Sequence, residues 1–132
     1  VGMTKAALIA YEHLEHDRPQ IQALKAYLVE KVKANLPEIE FNGLVDNSSL
    51  YTVLSLSLPP HPMGSLLLFQ LDMQGICVSG GSACSSGASK GSHVIEALGK
   101  SSERIPLRVS FSKYNTKEDI DFLVSTLQKL YE

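Results

Sequence analysis

Residues 50–58 read LYTVLSLSL, and within them Leu54, Leu56 and Leu58 alternate with Ser55 and Ser57. A period of two places alternate side chains on opposite faces, the pattern of a strand with one face buried. Three prolines within Pro59–Pro62 stop it, since proline cannot continue a ladder. Downstream, Ser65 is in position to cap a short helix running through Met73, and Gly75 stops that helix. Ile76 to Val78 reads as a short strand and Leu107 to Phe111 as a third. His93 to Leu98, ended by Gly99, reads as a further helical turn or two.

The flanks are helical. Residues 4–16 and 19–35 carry helical patterns, and in the second Ile21, Leu24, Leu28 and Val32 share one face. Asp17 with Gln20 fits a capping box for it, and Pro19 suits a first turn. Whether Pro19 breaks one helix or separates two is open. At the other end Thr116 begins a last helix, with Asp119 in capping-box position. Ile120, Leu123, Val124, Leu127 and Tyr131 form its apolar stripe. The expected fold is α/β of the α+β type: a small, mainly antiparallel sheet with helices packed on one face. The 132 residues read as one domain.

Composition narrows the function. With 12 Lys and Arg against 14 Asp and Glu, the net charge of -2 carries no electrostatic footprint for nucleic acid or an anionic membrane. The longest apolar run, Leu66 to Leu71, is interrupted by Gln70. A bilayer span needs roughly 20 apolar residues. Two cysteines, Cys77 and Cys84, make no disulfide framework and lack the short spacing of a metal-ligand pair. Free thiols in a reducing cytoplasm are the simpler reading. Val1 opens inside a helical pattern without an initiator methionine, as expected of a piece of a longer protein.

The segment 79–92, SGGSACSSGASKGS, is the least ordinary part. Of its 14 residues 4 are Gly and 6 are Ser, and none is large and apolar. It cannot bury itself by its own side chains, so it is expected to be exposed and mobile, with Cys84 near its middle. A free thiol titrates at about 8.5 and attacks as the thiolate. Lys90 is the one charge in the segment, so activation of Cys84 would have to come from a bound cofactor or substrate. An inert linker, an anion cradle at the helix near His93 and a carrier for a shuttling thiol all remain open. Cys77, between Ile76 and Val78, reads as a buried small hydrophobe.

Arg108 lies in the apolar run IPLRVSF. It is either one half of an internal salt bridge or a fork that grips a carboxylate by two parallel hydrogen bonds. Arg104 reads as a surface charge. His13 and His16, three apart on a helix, read as surface residues. His61 lies in the proline-rich turn, and His93 can steady the helix that follows the loop.

Taken in order, GICVSGGSACSSG, SHVIEALG and LRVSFSKYNTKEDID resemble the C-terminal region of cysteine desulfurases. These are fold-type I pyridoxal-phosphate enzymes of the class V aminotransferase group. The opening VGMTKAALIAYEHL is similar to the helix that leads into their C-terminal small domain, so residues 1–16 would be the end of an interdomain helix. The resemblance implies that Cys84 attacks the sulfur of L-cysteine and becomes a persulfide, and that Arg108 binds the substrate carboxylate. The Ser/Gly setting of Cys84 resembles the long-loop subgroup of nitrogen-fixation and iron–sulfur-cluster desulfurases. Ser112–Lys113 stands where many members carry Gly-Arg. The pyridoxal phosphate lysine lies upstream in these enzymes, and Lys90 is in the wrong context to replace it. The chain alone is therefore expected to be inactive. A sulfur-acceptor protein or iron–sulfur scaffold, and homodimerisation of the full-length enzyme, are implied as partners. The alternatives are another class V aminotransferase, a selenocysteine lyase or a non-enzymatic sulfur-carrier module.

Overall fold

The computed structural model describes residues 1–46, 48–64, 66–80, 97, 99 and 103–132. The expected capping by Ser65, the helix from His93 to Leu98, and Cys84, Lys90 and His93 themselves lie outside the described residues.

The first element is one helix, α1, over Gly2–Asn35, with Pro19 inside it. At about 1.5 Å per residue it is about 51 Å long. Pro19 offers no N–H to the carbonyl of Glu15. Glu15 is exposed, so water can satisfy that carbonyl and the helix runs on. Burial begins only at Ile21 and follows a helical stripe through Leu24, Leu28, Val29 and Val32. Leu8, Ile9, Tyr11 and Leu14 in the first half are exposed.

Asp17 and Gln20 consequently cap nothing, contrary to the sequence expectation. They hold a turn instead. The Asp17 carboxylate pairs with the Lys113 ammonium at 3.1 Å, and Gln20 Nε2 donates to the Lys113 carbonyl at 3.1 Å. The His16 hydrogen bond, then Lys113, holds the Asp17 carboxyl below its usual range.

The sheet has three strands in the order β1–β2–β3 and is antiparallel throughout. They are β1, Glu40–Phe41, β2, Val53–Leu58, and β3, Ile105–Ser110. The alternation in β2 is realised in its leucines, but Ser57 on the other face is buried too, donating to Asn42 Oδ1 at 3.1 Å. Leu54, Leu56 and Leu58 stand opposite Val109, Leu107 and Ile105, and all six are buried. Between β2 and β3 lies α2, Leu66–Met73, which buries Leu67 and Leu71. The last helix, α3, is Lys117–Tyr131. Its capping box is complete: Thr116 Oγ1 accepts from the Asp119 N–H, and the Asp119 side chain accepts from the Thr116 N–H. Ile120, Leu123, Val124 and Leu127 join the leucines of the sheet and the stripe of α1 in one core.

Four polar side chains tie these pieces together. Tyr27 of α1 donates to the carboxylate of Asp121 on α3 at 3.0 Å, and Lys31 pairs with the same carboxylate at 3.2 Å. His61 fixes the proline-rich turn to the end of α3. Its Nε2–H donates to the Leu130 carbonyl at 2.9 Å and its Nδ1 accepts from the Met63 N–H at 3.1 Å. Lys25, 5 % exposed in the apolar stripe of α1, donates to Ser49 Oγ at 2.7 Å and to the Leu50 carbonyl at 2.8 Å. Burial pushes the Lys25 ammonium below its usual value, with Asp46 partly opposing that.

Candidate functional site

The alternation that buries Leu107 and Val109 turns Arg108 to the other face of the sheet. Arg108 is exposed. It stands opposite Ser55 of β2 on one side and bridges Ser79 on the other. The Arg108 N–H donates to the Ser79 carbonyl at 2.6 Å, and the Ser79 N–H donates to the Arg108 carbonyl at 3.1 Å. With both backbone groups of Arg108 spent on Ser79, the Ser55–Arg108 pair is of the non-hydrogen-bonded kind, in which side chains approach most closely. The guanidinium continues the same contact, Nε donating to Ser79 Oγ at 3.0 Å.

Among the described residues Arg108 pairs with no carboxylate, and its side-chain partner there is Ser79. Arg104, expected to be a surface charge, is largely buried and ion-paired instead. The Arg104 side chain is only 16 % exposed and pairs with Glu40 at 3.4 Å. Its Nη2 donates to the carbonyls of Glu38 at 2.6 Å and Ser57 at 2.7 Å. Arg104 escapes a sequence reading because sequence context cannot register a side chain against the end of a neighbouring strand. IPLRVSF reads as apolar all round, whereas only alternate residues of β3 face the core.

Cys77 is also corrected. It is exposed, and residues 76–78 form no strand; the bridge to β3 comes one residue later, at Ser79. The end of α2 explains this. Gly75, at φ 80°, donates to the Asp72 carbonyl at 2.8 Å, and Ile76 donates to the Leu71 carbonyl at 2.9 Å. These two bonds make a Schellman cap, which brings the residue after the glycine back onto the helix. Ile76 packs against the core, and Cys77 faces out into a groove of about 300 Å³ shared with Val78, Asn115, Asp119 and Phe122.

The chain lies tight against β3 at Gly80. A β-carbon there would lie 2.7 Å from the Pro106 carbonyl oxygen and 3.0 Å from a methyl of Leu68. Only glycine fits there, beside the Ser79 bridge to Arg108. Sequence reading gave this glycine to loop flexibility; its role here is close approach.

His13 is exposed, as expected. His16 is exposed too, and its Nδ1 lies 3.0 Å from the Asp17 carboxylate. His61 is committed to the clamp described above. Lysines are accounted for in the same way. Lys25, Lys31 and Lys113 are bound as described, and Lys33 and Lys117 lie over the rings of Phe41 and Tyr27. Lys5 and Lys129 are exposed on α1 and α3. The described residues therefore offer an exposed guanidinium at the sheet edge but do not fit as a site that holds pyridoxal phosphate by themselves.

Comparison with known proteins agrees with this geometry. The aminotransferase class-V family model matches residues 1–123. The chain is 33 % identical over 138 residues to cysteine desulfurase IscS of Clostridium botulinum, covering 98 % of this chain and 33 % of that protein. It is 35 % identical over 129 residues to an IscS-like cysteine desulfurase of Mycobacterium tuberculosis, covering 96 % and 33 %. Among solved structures, a NifS-like protein superposes with a TM-score of 0.70 at 26 % identity, covering 93 % of this chain and 30 % of that one. A NifS-like protein from Rickettsia africae gives 0.71 at 24 % identity, covering 91 % and 30 %. The chain spans about a third of the length of the curated relatives it matches. On the family match over residues 1–123, the chain belongs to the class-V aminotransferases.

Proposed function

We propose that this chain is the small-domain part of a pyridoxal-phosphate-dependent cysteine desulfurase, with Arg108 binding the substrate carboxylate and Cys84 accepting the sulfur. One observation carries the reading. The exposed guanidinium of Arg108 is bonded to Ser79, and Cys84 follows Ser79 by five residues in sequence. A carboxylate fork and a nucleophile thus depart from one point on the sheet edge. The names of the relatives from Clostridium botulinum and Mycobacterium tuberculosis support the same chemistry.

The overall change balances without an outside oxidant. L-cysteine and the Cys84 thiol give L-alanine and a Cys84 persulfide. The substrate's C–S bond breaks and an S–S bond forms. The electron pair of the broken bond stays with the alanine carbon, which takes up a proton. Pyridoxal phosphate, supplied from outside the described residues, provides the electron sink that makes such a cleavage accessible. Arg108 orients the amino acid by its carboxylate, and Cys84 acts as a covalent nucleophile.

The persulfide would pass to a sulfur-acceptor protein or an iron–sulfur scaffold, in a cytoplasmic homodimer of the full-length enzyme. Among the described residues no helix is long and apolar enough to cross a membrane.

The test uses the full-length enzyme. Cys84→Ala should abolish persulfide formation and alanine release while the cofactor absorbance is retained. Sulfur transfer at the wild-type rate in that variant would sink the reading. The 132-residue chain alone, mixed with pyridoxal phosphate and L-cysteine, should release no alanine.

A further inference from the structure

Arg108 does not meet a carboxylate as a free side chain, because one of its donors is already committed. An arginine can grip a carboxylate end-on, through both Nη groups, or side-on, through Nε and one Nη. Ser79 Oγ accepts from Nε at 3.0 Å, which closes the side-on mode and leaves the end-on pair. Ser79 is itself immobilised. Its carbonyl and N–H are both bonded to Arg108, at 2.6 and 3.1 Å, and the next residue, Gly80, is wedged against the Pro106 carbonyl.

We propose that Ser79 is the positioning residue for substrate recognition: its hydroxyl locks the Arg108 guanidinium with the Nη edge presented end-on to the carboxylate of the incoming amino acid. The proposal rests on the reading of Arg108 as the carboxylate-binding group. An exposed arginine otherwise loses rotamer freedom when a ligand binds, and a guanidinium held in advance avoids part of that loss. Discrimination in favour of a ligand with a carboxylate then depends on a hydroxyl that never touches the ligand.

The test is ligand binding to the full-length, cofactor-loaded enzyme. L-alanine is compared with ethylamine, its counterpart without the carboxylate, and binding is followed by the cofactor absorbance. Ser79→Ala should weaken L-alanine about five-fold, with ethylamine changed less than about two-fold. Arg108→Ala should weaken L-alanine about fifty-fold. In the Arg108→Ala background, Ser79→Ala should add nothing, since the hydroxyl acts only through the arginine. Ser79→Thr and Ser79→Val, alike in shape but not in the Oγ acceptor, repeat the comparison should the alanine variant fold poorly. Thr should bind L-alanine as the wild type does, and Val should not.

Unchanged L-alanine binding in Ser79→Ala and Ser79→Val, with Arg108→Ala impaired, would overturn the proposal and leave the role of Arg108 standing. Equal weakening of both ligands would also overturn it, by showing a general structural effect. Unchanged L-alanine binding in Arg108→Ala would remove the carboxylate reading and this proposal together.

Discussion

Arg104 is bonded through Nη2 to the main-chain carbonyl of Ser57, 47 residues earlier, at 2.7 Å. The same nitrogen reaches the Glu38 carbonyl at 2.6 Å. One guanidinium thus joins the end of β2 to the approach to β1. Its Nε is buried without a hydrogen-bond partner, so the geometry is dictated by the two carbonyls. Arg104→Ala leaves both carbonyls without this donor. It should cost about 3 kcal/mol, measured as a shift in the urea midpoint of unfolding. Arg104→Lys should recover only part of this, because an ammonium lacks the planar spread of donors.

Lys25 gives a pH-dependent prediction at the alkaline end. Burial holds its pKa below the ordinary 10.5. Between that lowered value and 10.5 the unfolded chain binds more protons at this site than the folded one. Stability contributed by this site therefore rises with pH across that window. Lys25→Met should remove the rise while keeping the buried stem. Urea unfolding of both proteins from neutral pH to about pH 10.5 reads the difference. A wild-type curve parallel to that of Lys25→Met would contradict it.

Asp121 gives a slope of the same sign at the acid end. Hydrogen bonding from Tyr27, then from Lys31, holds its carboxyl below the usual 3.8. A carboxylate depressed in the folded state stabilises fully above 3.8 and loses that contribution as pH falls through its own lower pKa. Asp121→Asn should flatten the acid limb of the stability curve below 3.8, and the side-chain carboxyl chemical shift should titrate below that value in the wild type.

Cys77 should react with a thiol reagent in the native state, because it is exposed. Cys77→Ser should shift stability by less than about 0.5 kcal/mol. In the full-length enzyme it should leave desulfuration intact, which separates it from Cys84→Ala. Loss of activity in Cys77→Ser would place this second thiol in the reaction.

Much of the fold was legible in short-range pattern. The leucine spacing of β2 and the Thr116–Asp119 box depend on neighbours within a few residues, and both appear as read. The failures share a cause. Asp17 and Gln20 have the spacing of a cap, but their partner is Lys113, more than 90 residues away. Arg104 has no local mark of burial because its acceptors belong to other parts of the chain. Lys25 sits in an apolar stripe and looks like a lapse in it until Ser49 and Leu50 come into contact. For the candidate site, Arg108 stands out in the sequence by its place in an apolar strand, whereas Ser79 is only one serine among six. Its Oγ contact is a property of sheet pairing, which composition does not encode.

The wedge at Gly80 sets a radius. Cys84 is the fourth residue after Gly80, and four residues of chain reach at most about 14 Å. Under the persulfide reading, a recipient of sulfur has to come within that short tether of the edge of β3. Distant delivery would then depend on the recipient's approach, and its docking footprint would border Arg108.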